Sequence, residues 1–106
     1  MYARILTLNL KPNHLNDFKE TLDKQVIPML RKQDGFKDNV TLVGPGGTEV
    51  RNISLWDKKE NADSYNATTY PEVLKMLASV VEGTPQIKTY DVVNSTFHKL
   101  PAFATI

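Results

Sequence analysis

The chain contains no cysteine. That excludes a disulfide framework, thiolate-bound zinc or iron–sulfur clusters and a thiol nucleophile. Redox chemistry here must draw on a substrate and oxygen, or on a bound cofactor. Histidine is nearly absent too: His14 and His98 stand far apart, with no metal-ligand spacing, so no metal site is expected. The chain also lacks excess charge of either sign, with 13 Lys and Arg against 12 Asp and Glu. This argues against a strongly basic nucleic-acid binder and against an acidic tail. No apolar run approaches the ~20 residues of a membrane helix. The start, Met1-Tyr2-Ala3-Arg4-Ile5, has no basic region followed by a long apolar run. The expectation is a soluble cytoplasmic chain with neither membrane nor nucleic acid as partner.

What is present is a 106-residue chain, 41% hydrophobic and 24% charged, the balance of one globular domain. A core of this size is small, and self-association is a route to further burial. Residues 2–10 alternate Leu6, Leu8 and Leu10 with Ile5, Thr7 and Asn9, which predicts a strand. Asn13 is a plausible N-cap for an amphipathic helix over 14–33, striped by Leu15, Phe18, Leu22, Val26 and Leu30. Pro28 predicts a kink or break near Val26, and Gly35 a C-terminal cap. Strands over 36–44 and 48–56 flank Gly44-Pro45-Gly46-Gly47 and form a hairpin. Asp57 and Glu60 have the spacing of a capping box for a short helix through Ala62 and Tyr65. A second helical segment restarts at Tyr70-Pro71-Glu72, and Gly83-Thr84-Pro85 ends it. Residues 86–97 predict the last strand.

The order β-α-β-β-α-β points to a ferredoxin-like α+β sandwich, a four-stranded antiparallel sheet with its helices on one face. The uncovered face suggests a homodimer with two sheets packed together, a dimeric α+β barrel. The domain spans 1–99. The uncharged stretch 100–106 forms an apolar C-terminal tail, expected to pack across a partner subunit or a pocket mouth.

Several segments carry a family likeness: Leu8-Asn9-Leu10, Ile27-Pro28-Met29-Leu30, Asp34-Gly35-Phe36 and the run Asn52-Ile53-Ser54-Leu55-Trp56-Asp57-Lys58-Lys59-Glu60 with Ala62 and Tyr65. In these the chain resembles the antibiotic biosynthesis monooxygenase-like family of the dimeric α+β barrel superfamily. The resemblance implies oxygen insertion into an electron-rich aromatic substrate of anthrone or quinol type, with no cofactor. It also implies Asn52 and Trp56 as catalytic residues, four apart on one strand, with Asn9, Ser54 and Tyr65 as substrate-binding residues. Haem-degrading relatives need a helix histidine, and Val73, Leu74, Lys75 and Met76 stand at the matching stretch.

Strand periodicity alone puts Asn52, Ser54 and Trp56 on one face. Trp56 is then either a large core residue or a pocket wall. Asn52 must satisfy its amide, through neighbours or through a substrate oxygen. Asn9 caps an edge or lines a site. Tyr90, Asp91 and His98 are weaker candidates for proton transfer. The alternative function is a non-catalytic small-ligand-binding or structural dimeric barrel.

Overall fold

Leucine at alternate positions of the second half of β1 (Tyr2–Leu10) buries Leu6, Leu8 and Leu10, while Asn9 is exposed. The computed structural model describes residues 1–100, so most of the apolar tail lies outside the described residues. After β1 come α1 (Leu15–Thr21), a π-helical turn (Leu22–Val26) and α2 (Ile27–Arg31). Then follow β2 (Phe36–Val43), β3 (Glu49–Trp56), α3 (Lys59–Thr68), α4 (Tyr70–Leu77) and β4 (Val81–Asp91). The sheet is antiparallel throughout, in the order β2-β3-β1-β4. This is the ferredoxin-like α+β arrangement expected from the element order. Among the described residues no helix is long and apolar enough to cross a membrane.

The helices cover one face of the sheet. Leu6, Leu8, Leu10, Val50 and Trp56 project from the strands into a core closed by Phe18, Leu22, Val26, Leu30, Tyr65, Val73 and Leu77. On the opposite face stand Ile5, Ile53, Leu55, Val40, Leu42 and Tyr90, matched across the strands by the register. No helix of the described residues covers them.

Local details depart from the sequence expectation, each for a physical reason. The first helical stretch ends at Arg31 rather than at 33, and it is interrupted just before Pro28, in keeping with the kink or break expected near Val26. Pro28 has no N–H, and its ring crowds the carbonyl four residues back, so the chain widens into the π turn just before it. Asn13 is not the N-cap: it takes φ 65°, which Asn tolerates, and His14 occupies the cap. Gly35 does not cap the helix, which ends at Arg31; its φ of 76° turns the chain into β2. Nor do Asp57 and Glu60 form a capping box. Lys58 is the N-cap, and its N–H donates to Asn61 Oδ1 at 3.2 Å, while Asp57 pairs with Lys37 at 3.3 Å.

The last strand runs from Val81 to Asp91 rather than over 86–97. Gly83 and Pro85 lie inside it, where the pairing steps from Thr7–Gln86 to Asn9–Glu82. That step is a bulge, which accepts glycine at positive φ and an edge-strand proline without ending the strand.

Candidate functional site

A cleft lies between the helices and the sheet. Leu6, Leu8, Phe18, Leu22, Val26 and Leu30 make much of its apolar wall, and Arg4, Asn52, Ser54 and Tyr65 supply its polar groups. Even-numbered residues of β1 and β3 face the helices, so strand parity alone brings Arg4, Asn52 and Ser54 together. Tyr65 enters from α3, where Ala62 and Tyr65 are the buried positions.

Asn52 is held on three sides. Its Nδ2 donates to Asn39 Oδ1 at 2.9 Å and to Thr41 Oγ1 at 2.8 Å, and its Oδ1 accepts from Asn39 Nδ2 at 3.0 Å. Register causes this, because Thr41 pairs directly with Asn52 across β2 and β3. Both amide donors are thus engaged, and one lone pair of Oδ1 is left for a ligand.

Ser54 is buried; its Oγ accepts from Trp56 Nε1 at 2.9 Å and donates to the Arg4 carbonyl at 3.4 Å. Trp56 is not among the residues that line the cleft. It is wholly buried behind it, with its ring edge-on to Phe36 at 5.6 Å and tilted against Tyr65 at 5.2 Å. Of the residues singled out in the sequence, the structure brings together Asn52, Ser54 and Tyr65, with Trp56 supporting the last two. Asn9 is apart from them, exposed beside Pro12, Thr48 and Glu82, because odd positions of β1 face away from the helices. Asp91 and Tyr90 are exposed on β4, and His98 meets Asp38 at 3.0 Å instead of the cleft.

Sequence reasoning missed Arg4. It is only 3% exposed, one of two buried polar or charged residues among the core positions. Its Nη2 donates to Asn66 Oδ1 at 2.9 Å, and the guanidinium lies 4.2 Å from the Tyr70 ring centre and 5.2 Å from that of Tyr65. Its buried Nε–H has no partner among the described residues. Removing an ion from water costs several kcal/mol even after relaxation. A cation–π contact returns about 0.5–2 kcal/mol and one charged hydrogen bond about 1.5–3 kcal/mol. Burial accordingly lowers the Arg4 pKa, against the opposing pull of Tyr65 and Tyr70. Burial also pushes the Tyr65 phenol up to about 12, against the Arg4 charge, and raises Tyr70. Both phenols stay protonated at neutral pH and can donate hydrogen bonds. The signal for Arg4 was present in the sequence: it occupies an even position in a strand whose other even positions are Tyr2, Leu6, Leu8 and Leu10.

The cleft is narrow. Space between its atoms amounts to about 370 Å³ with the mouth included, but a water centre can move through only about 20 Å³. One water needs about 10–15 Å³ by that measure, so the closed cleft has no room for a ring system. A neighbouring cleft shares Leu6, Leu8 and Leu77 with it and opens past Val81, Gly83 and Pro85, with room of about 240 Å³. Leu77 is the one helix residue that lines both. Among the described residues no three His, Asp or Glu side chains converge as metal ligands.

No family sequence model matches the chain, and no curated protein matches it in sequence. Solved structures do. A monooxygenase from the gene ActVA-Orf6 of Streptomyces coelicolor, in complex with nanaomycin D, is similar with a TM-score of 0.74 at 18% identity, over 95% of this chain and 92% of that one. SnoaB, a cofactor-independent oxygenase from Streptomyces nogalater, is similar with a TM-score of 0.74 at 11% identity, over 90% of this chain and 95% of that one. A putative antibiotic biosynthesis monooxygenase from Nitrosomonas europaea is similar with a TM-score of 0.73 at 14% identity, over 89% of this chain and 100% of that one, and the chain shares the fold of these structures.

Proposed function

We propose that the protein is a cofactor-independent monooxygenase that acts on a small electron-rich aromatic of anthrone or quinol type, as a homodimer. The observation that carries this reading is the hydrogen-bonding group of Asn52, Ser54 and Tyr65 set into the wall of an otherwise apolar cleft. Two similar structures lend it further support, one holding nanaomycin D and one described as a cofactor-independent oxygenase.

On this reading the rings of the substrate occupy the apolar wall once Leu77 moves aside. The neutral Tyr65 phenol donates a hydrogen bond to a substrate oxygen, and that bond strengthens as the substrate loses a proton and its oxygen gains charge. The carbanion then reduces dioxygen and couples to it. The resulting hydroperoxide collapses to a carbonyl. In sum CH₂ plus O₂ gives C=O plus H₂O: carbon supplies four electrons, one oxygen atom stays on carbon and the other leaves as water. Asn52, locked by Asn39 and Thr41, fixes the substrate oxygen through its remaining lone pair on Oδ1, accepting from a substrate hydroxyl.

Oxygen uptake with 1,8-dihydroxyanthrone tests the reading. The wild type should exceed the spontaneous rate, and Asn52→Ala should lose at least about tenfold in kcat/KM, an effect of about 1.4 kcal/mol on the barrier. A wild-type rate at background across anthrones, quinols and phenols would sink it. One observation favours a second reading, a ligand-binding protein without turnover: the Asn52 amide is largely engaged by its neighbours. That reading expects saturable quenching of Trp56 fluorescence by the same compounds with no oxygen uptake.

A further inference from the structure

The cleft has one charged residue in its lining, and that residue is Arg4. No carboxylate pairs with it among the salt bridges of the described residues. It is 97% removed from solvent, and its Nε–H is the one buried side-chain polar atom without a partner among the described residues. Buried ions are normally paired, and buried donors are normally bonded. A lone buried guanidinium that violates both regularities lacks its counter-ion.

We propose that Arg4 is an anion-binding residue of this cleft, and that the ligand is an aromatic compound carrying a delocalised oxyanion, a carboxylate or an enolate, placed against the guanidinium. This rests on the reading of the cleft as the substrate site and deepens it by naming the charge of the substrate.

Three features of the surroundings fit an incoming anion. The tyrosine faces and the Asn66 amide support the guanidinium without neutralising it. Arg presents its N–H groups in a planar fork that matches a carboxylate or a conjugated oxyanion. A second cleft also touches Arg4, from the side of α3 and β4, and Asp63 lines it. An anion is repelled there, whereas the apolar cleft has no acidic residue in its wall. Low dielectric around the apolar cleft strengthens the attraction of any anion that enters it.

The test compares 3-hydroxy-2-naphthoate with its carboxamide, read by quenching of Trp56 fluorescence in the full chain. The two differ little in shape and by one charge. The wild type should bind the anion at least tenfold more tightly. Equal binding of the two, or preference for the amide, overturns the proposal without any variant. Arg4→Met keeps the length of the side chain and removes the charge. It should abolish the preference while raising the melting temperature of the ligand-free protein, since an unpaired buried charge is replaced by an apolar chain. A structural role for Arg4 predicts the opposite shift in melting temperature. Persistence of the anion preference in Arg4→Met also overturns the proposal, and 1,8-dihydroxyanthrone, whose enolate is the alternative anion, should lose affinity in the same variant if the enolate rather than a carboxylate is bound. Anion preference without oxygen uptake defeats the monooxygenase reading alone. Oxygen uptake that is indifferent to Arg4→Met and to substrate charge defeats the Arg4 proposal alone.

Discussion

Tyr65 joins the core to the cleft. It is 3% exposed, packs against Trp56 and Tyr70, and faces the Arg4 guanidinium. Burial holds its phenol up to about 12, against an ordinary value near 10. Below pH 10 both the folded and the unfolded chain keep this proton, and Tyr65 gives no pH dependence. From pH 10 to about 12 the unfolded chain releases it first, so the folded state loses stability by about 1.4 kcal/mol per pH unit from this group. Tyr70 acts in the same direction. Urea unfolding at pH 9 and at pH 11 should show the wild type destabilised at the higher pH. Tyr65→Phe should show a smaller loss, and the difference between the two chains isolates the phenol from the lysines that titrate in the same range. An identical loss in both chains would contradict the assignment. At this scale the sequence was readable where parity decides: positions 52, 54 and 56 share a face, and the structure keeps them there. It was unreadable where partners decide. Nothing in the order of residues says that Asn39 and Thr41 tie down Asn52, because that needs the β2–β3 register. Nor does it say that Trp56 lies behind the wall, because that depends on how deeply α3 seats Tyr65.

The junction between β2 and α3 shows how one backbone position disciplines two elements. Gly35 has φ 76°, and its carbonyl accepts from the Asp57 N–H at 2.8 Å. A Cβ built on Gly35 would overlap the side-chain amide of Asn61. That same amide caps α3 by accepting from the Lys58 N–H. Gly35→Ala therefore meets two penalties, a left-handed backbone with a Cβ and displacement of a cap. The expected loss is about 2–3 kcal/mol, read as a lower urea midpoint at unchanged m-value. Asn61→Ala in the Gly35→Ala background removes the overlap, so the double variant should be less destabilised than the sum of the two single changes. Additive effects would mean that the two residues do not compete for this space. Element identity was legible from hydrophobic period in β1, the first helical stretch and α4. Element ends were not. Gly83-Thr84-Pro85 read as the end of the second helix because Gly and Pro disfavour helix interiors, yet α4 already ends at Leu77 and these residues lie inside β4, at a sheet edge beside a bulge.

For the molecule as a whole, the uncovered sheet face is the outstanding physical problem. Val40, Leu42 and Tyr90 on that face are 45%, 50% and 50% exposed. The segment after β4 returns to the same face, where His98 reaches Asp38, and carries Val93 and Phe97 at 71% and 82% exposure. Folded chains rarely leave contiguous apolar surface of this kind in water. In the homodimer proposed above, a second copy with the same face would supply a self-complementary cover through two-fold packing of sheets, with side chains interdigitating across about 10 Å. The element order alone pointed to this face, since two helical segments on a four-stranded sheet cover only one side of it. Light scattering coupled to gel filtration should give a particle of twice the 12.0 kDa chain mass. Val40 and Leu42 stand out from β2, an edge strand, and make little contact with the core of their own chain. Changing both to Glu should leave the single chain folded while placing like charges across the proposed interface. The double variant should therefore elute as a monomer with its secondary structure intact by circular dichroism. A wild type already monomeric at micromolar concentration, or a double variant that remains dimeric, would show that this face is not where two copies meet.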